Sequence, residues 1–188
     1  MLDSRLIEII EHSKFLREVI EKSEMLGLDQ YYVGAGCITQ TVWNYLTDRP
    51  LTFGINDIDI IYFDKSNLSS EKESSIVKMA NENFVNFQLK IDVKNQARVH
   101  LWYENKFGIK TSPYQSLEEA IDTWPTTATA LGVRKNKDGS WEMYAPFGLD
   151  DIFTLTLRPN KKLITEDIYY KKVEKWTRKW PELKVIRW

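Results

Sequence analysis

The sequence predicts an α+β fold in two layers: a mixed β-sheet with helices packed on it, extended by further helices at both ends. Two observations carry this. Short β-branched or aromatic segments alternate with capped helical segments over the first half of the chain, and a hairpin signal follows in the second. At 188 residues, with 43% hydrophobic and 28% charged residues, the chain has the material for a real core and reads as a single domain over 1–188.

The elements follow in order. Residues 4–26 repeat apolar side chains at helical spacing, with Leu6, Ile9 and Ile10 followed by Leu16, Val19 and Ile20. The phase slips at His12-Ser13-Lys14, so one helix or two would satisfy the pattern. Tyr31-Tyr32-Val33 forms a short strand leading into Gly34-Ala35-Gly36, and a helix runs from Cys37 to Leu46. Ile58–Phe63 is a strand. Ser70 with Glu73 makes a capping pair that opens a helix to about Asn83. Gln88–Val93 alternates as a second strand, and residues 97–103 read as a third, with Arg98, His100 and Trp102 on one face. Ser116 with Glu119 caps a short helix that stops before Pro125. Thr127–Arg134 and Trp141–Tyr144 form a hairpin turned at Lys137-Asp138-Gly139, and Leu149–Leu155 is a short helix. A basic helical tail occupies 165–180, leaving a core at about 30–160.

The bulk properties narrow the function. A net charge of −1 argues against a dedicated duplex-DNA binder. The single cysteine, Cys37, forms no internal disulfide, the N-terminus lacks a signal-peptide pattern, and no apolar run approaches a membrane span. The expectation is a cytoplasmic protein with no membrane partner.

The chemistry centres on Asn56-Asp57-Ile58-Asp59-Ile60. Alternation puts Asp57 and Asp59 on one face of a strand, roughly 7 Å apart along it, and Ile58 and Ile60 on the other. Two aspartates on one strand face repel unless something neutralises them. A hydrated solvent face would do so, and so would Mg²⁺, which takes one or two carboxylates plus substrate phosphates. Asp92, opposed in face to Ile91 and Val93, would complete a three-carboxylate cluster if its strand lay alongside; flanked by Lys90 and Lys94, it could equally lie on a solvated face. Gly34 and Gly36, between strand and helix, let backbone approach phosphates at a helix N-terminus, although the same glycines would suit an ordinary tight turn.

The order of glycine turn, helix, Asp-x-Asp strand, helix and single-Asp strand resembles the nucleotidyltransferase superfamily that includes the DNA polymerase beta type. More narrowly, Gly34-Ala35-Gly36-Cys37, Trp43-Asn44, Asp57 to Asp64, Val93 to Trp102 and Ala145 to Asp151 resemble a family of small bacterial nucleotidyltransferase-like proteins. The resemblance spans most of residues 30–160. It implies a nucleotidyltransferase-like fold. It also implies transfer of a nucleoside monophosphate from a triphosphate to a hydroxyl acceptor of unspecified kind. Asp57, Asp59 and Asp92 would then be catalytic and metal-ligating, holding two Mg²⁺ ions (or Mn²⁺), and Gly34, Ala35 and Gly36 would bind the nucleotide. Either Ala35 stands where the family pattern has Gly or Ser, or the motif is shifted to Gly36-Cys37.

Other features have paired readings. Arg98 and His100 could bind nucleotide phosphates, with Trp102 as a stacking ring, or could belong to a half-exposed strand. Cys37 at a helix start could be a nucleophile, but burial as a small apolar residue suits it better. The tail, from Lys161-Lys162 through Lys171-Lys172 to Arg178-Lys179, interleaves acids and reads as a solvated helix face in preference to a nucleic-acid contact. A catalytically silent nucleotide- or partner-binding module is the alternative function. A nucleotide-sugar glycosyltransferase fits less well, because only about 56 residues precede the Asp-x-Asp and Asp92 has no part in that scheme.

Overall fold

A computed structural model describes residues 2–188; Met1 lies outside the described residues. The N-terminal segment forms two helices, α1 (Leu2–His12) and α2 (Lys14–Glu24). The phase slip marks a real break. Ser13 takes extended backbone between them, and its hydroxyl accepts from the Leu16 amide at 3.2 Å, an N-cap that closes one helix and starts the next.

β1 (Tyr31–Gly34) follows, then α3 (Gly36–Leu46), β2 (Asp57–Tyr62), α4 (Ser70–Asn83) and β3 (Lys90–Asn95). After a 3₁₀ helix at Gln96–Leu101 come α5 (Tyr103–Phe107), α6 (Leu117–Ile121), a 3₁₀ turn at Thr127–Thr129, and the hairpin of β4 (Gly132–Lys135) and β5 (Trp141–Tyr144). The chain finishes with α7 (Asp150–Phe153), β6 (Thr156–Leu157), α8 (Glu166–Thr177) and β7 (Lys184–Val185). The main sheet has the order β3-β2-β1-β4-β5, in which β2 and β3 run parallel and the other pairs antiparallel. The mixed sheet is therefore as expected. β6 and β7 form a separate parallel pair.

Period-two alternation divides the sheet by face. Ile58, Ile60, Val33, Ile91 and Val93 join α1, α2, α3 and α4 in the main apolar core. The opposite face carries a smaller cluster in which Tyr32 and Ile61 meet Leu117 and Ile121 of α6.

Three local expectations are corrected. Residues 97–103 are not a strand, because the Asn95 side chain accepts from the Ala97 amide at 3.1 Å and winds the chain into the 3₁₀ helix. Arg98, His100 and Trp102 therefore do not share a strand face. Thr127–Thr129 is a 3₁₀ turn, so the first hairpin strand begins only at Gly132. Helix α4 is capped by Ser69, whose hydroxyl accepts from the Lys72 amide at 3.3 Å. Glu73 instead accepts from the Asn95 amide at 2.9 Å and pairs with Arg98.

The C-terminal tail is held firmly. Tyr169, Val173, Trp176 and Trp180 fall on one side of α8 and its extension and enter the main core. Trp180 meets Trp43 edge-on at 5.4 Å, and its Nε1–H donates to Asn44 Oδ1 at 2.8 Å. Asn44 in turn donates to the carbonyls of Leu51 and Phe53. This polar link and the aromatic cluster seat α8 against α3, which bears on the site.

Candidate active site

The parallel β2–β3 register places Asp59 opposite Asp92, and Asp57 two residues earlier on the same face. The three carboxylates expected to cluster thus share one strand face. Burial, then the charges of Asp57 and Asp92, push the Asp59 carboxyl up to about 7 against the opposing pull of Lys94 and Lys172. Asp92 is differently placed: it pairs with Lys94, and Lys90 lies 4.0 Å away. Asp57 and Asp59 have no ion-pair partner within 4.0 Å among the described residues.

Among the described residues, no three acidic, imidazole or thiolate side chains converge into a ready metal cage. The donor set still fits a hard divalent ion. Mg²⁺ prefers oxygen ligands and commonly takes one or two carboxylates, completing its shell with water and substrate phosphates. Two aspartates without an ion-pair partner among the described residues, one of them with its pKa raised by burial and by the other carboxylates, supply that partial set.

The glycine turn abuts these carboxylates, since Gly34 pairs with Asp59 across β1 and β2. A Cβ at Gly34 would stand 2.6 Å from a ring carbon of Trp124, so this glycine is required to seat that indole. Ala35 sits at φ 50° and ψ −126°, a conformation natural to glycine and strained for alanine. It starts α3 with no side-chain cap, its own amide donates to the Leu131 carbonyl at 3.1 Å, and the helix start at Ala35 and Gly36 lines one cavity with Asp57 and Asp59. Gly36 is close only to the flexible end of Gln40. Cys37 is fully buried under the turn, its thiol pushed up by burial and by Asp59. Such a thiol is no nucleophile.

Two cavities meet at Asp59, Ala35, Trp124, Pro125 and Lys172. The smaller, about 120 Å³, adds Asp57, Gly36, Gln40, Thr129 and Lys175. The larger, about 350 Å³, extends past Asp92 and Lys94 to rings and aliphatic chains that include Trp102, Tyr103, Phe107 and Tyr114. Neither is lined by Arg98 or His100. Arg98 pairs with Glu73 and donates to the Leu68 carbonyl at 2.9 Å, tying the 3₁₀ helix to α4. The buried Nδ1 of His100 has no hydrogen-bond partner among the described residues.

The sequence reading missed Lys172, Trp124 and the α6–β4 connection. Lys172 does not lie on a solvated helix face: it lines both cavities, and burial lowers its pKa while Asp59 and Asp57 oppose the shift. The stripe Tyr169, Val173, Trp176 was the available signal, because it shows that α8 packs and sets Lys172 at the edge of its buried side.

A family model described as Nucleotidyltransferase matches residues 21–185. No curated protein matches. A solved structure whose title reports a CCA-adding enzyme head domain superposes with a TM-score of 0.80 at 26% identity, covering 98% of this chain and 96% of that one. Among the described residues, no helix is long and apolar enough to cross a membrane.

Proposed function

This chain belongs to that nucleotidyltransferase family, and on that premise we propose that it transfers a nucleoside monophosphate from a nucleoside triphosphate to a hydroxyl acceptor. The observation that carries the reading is the β2–β3 register. It sets Asp57, Asp59 and Asp92 on one face beside the uncapped start of α3.

In this reading the glycine turn lets the phosphates approach and Gly36, at the start of α3, offers them its backbone N–H, the Ala35 amide being taken by the Leu131 carbonyl at 3.1 Å; Lys172 and Lys175 line the same cavity. Asp57 and Asp59 would hold two Mg²⁺ ions (Mn²⁺ would also suit), with Asp92 joining one of them. Such a pair neutralises charge on the attacking and leaving oxygens of an in-line displacement. The acceptor oxygen forms its bond to the α-phosphorus as the bond to pyrophosphate breaks. The acceptor proton passes to Asp92 or to solvent. The chain's own part is to position the two substrates and to present fixed charge. Lys94 must give up Asp92 for that carboxylate to serve.

The pairing of Lys94 with Asp92, together with the strained Ala35, favours one second reading: a silent module that binds nucleotide without turnover. Incubation with each labelled triphosphate and Mg²⁺ separates the two. Pyrophosphate release that disappears in the Asp57→Asn/Asp59→Asn double variant supports the enzyme. Tight binding without release supports the module, and Mg²⁺-dependent binding unchanged in the double variant would sink the site assignment.

A further inference from the structure

The two cavities joined at Asp59 differ in chemistry. The small one is bounded by a helix start, two aspartates, two lysines and amide or hydroxyl side chains, with two indoles and a proline closing it; its lysines and helix start suit phosphate oxygens. The large one departs on the other side of the carboxylates, past Asp92, and its walls are mostly rings and aliphatic chains. Tyr103 packs against both Trp102 and Phe107, with ring centroids 5.8 Å and 4.6 Å away. Lys106 stands over the rings of Trp102 and Phe107, at 5.5 Å and 5.2 Å from their centroids. Phe107 is 37% exposed, so the core does not require it there.

Resting on the reading of Asp57 and Asp59 as the transfer site, we propose that this aromatic chamber is a subsite for a flat ring. The ring would be a nucleobase or comparable heterocycle that stacks on Trp102 and Phe107. At about 350 Å³ the chamber lies at the small end of ligand pockets and admits one such ring with its sugar, not two. Its wall carries Lys94, Lys106 and Lys172 against Asp59 and Asp92, and with Lys94 paired to Asp92 the lysines Lys106 and Lys172 are left to meet a ring attached to phosphate. The ring can come from the donor triphosphate or from the acceptor, and the chemistry of the chamber is the same for both.

The test measures binding of adenosine, guanosine, cytidine and uridine, and separately of tripolyphosphate, to the full-length protein by equilibrium dialysis without metal. Trp102→Ala and Phe107→Ala are expected to weaken nucleoside binding by about tenfold each, the order of one base–aromatic stack, and to leave tripolyphosphate binding unchanged. Trp102→Phe should restore most of the loss, which a merely misfolded variant would not. A nucleoside that competes with the triphosphate assigns the ring to the donor. One that binds alongside it and becomes labelled once Mg²⁺ and labelled triphosphate are added assigns it to the acceptor. Nucleoside affinity indifferent to both alanine variants, or a parallel fall in tripolyphosphate affinity, overturns the subsite. Loss of transfer in the Asp57→Asn/Asp59→Asn variant with ring binding intact would leave the subsite standing. Ring binding intact with wild-type transfer absent would count against the transfer reading alone.

Discussion

At the hairpin end of the sheet, Tyr32 donates to Glu142 at 2.9 Å and to Glu118 at 3.2 Å, and Arg134 pairs with Glu142 at 2.7 Å. At the β2–β3 end of the same face, Asp57 and Asp59 have no such partners among the described residues, and burial, then the charges of Asp57 and Asp92, raise the pKa of Asp59. The apolar cluster of Tyr32, Ile61, Leu117 and Ile121 lies on this face too. The first cluster pairs its charges within the protein, leaving only Arg134 Nε without a hydrogen bond among its described donors, and serves stability. The second is left unsettled, and a divalent cation with a phosphate chain is what would settle it. A polar cluster's unspent charge, more than its mere presence, marks the place where a ligand belongs.

That contrast can be broken at either end. The largest effect is expected from Asp59→Asn, which should lower the transfer rate by about a hundredfold or more, as the loss of one preorganised charge at a reacting centre does. Glu142→Ala should leave that rate unchanged. Its cost falls on stability, about 1 kcal/mol, because Arg134 loses its partner while Tyr32 keeps Glu118. Urea denaturation alongside pyrophosphate-release assays reads both.

A smaller effect concerns pH. Burial raises the Glu142 carboxyl, but the hydrogen bonds from Arg134 and Tyr32 outweigh it and leave its pKa below the ordinary glutamate value. A depressed folded pKa contributes stability above the unfolded value, about 4.3, and loses it as the pH falls through the folded one. Solvent screening keeps this below about 1 kcal/mol. Glu142→Gln should therefore flatten the acid limb of stability measured by denaturant between about pH 5 and pH 3.

The smallest effect is at the turn. Ala35→Gly removes the strain of a positive φ and adds backbone entropy to the unfolded chain, a net gain of about 0.5 kcal/mol. Denaturant midpoints would show it. A loss of stability instead would mean that the strain at Ala35 is illusory.

Much of this was legible in the residues. Strict alternation of Asp57, Ile58, Asp59 and Ile60 fixes which side chains face the core, and the same rule applied to Ile91, Asp92 and Val93 anticipated the shared face once the strands paired. The phase slip at Ser13 marked a true helix break. What was hidden depended on single side chains bonding across the chain. Asn95 turned an alternating stretch into a 3₁₀ helix and took Arg98 away from the site. Trp180 and Asn44 brought a helix that looks solvated over the carboxylates, and Lys172 came with it. Gly34 was read for phosphate approach, yet its immediate constraint is the indole of Trp124. Local patterns carry facing and capping; they do not carry which distant helix closes a cleft.

The most direct test is thermal denaturation of the wild type and Asp59→Asn at pH 8, in EDTA and then in Mg²⁺ with a triphosphate. If the carboxylates are a ligand site held under mutual repulsion, the metal-free variant melts above the metal-free wild type by about 2–4 °C, the equivalent of roughly 1 kcal/mol for a chain of this size. Mg²⁺ and triphosphate then raise the wild type and leave the variant where it was. A variant that melts lower than the wild type in EDTA, or that gains as much as the wild type from Mg²⁺ and triphosphate, would contradict the account.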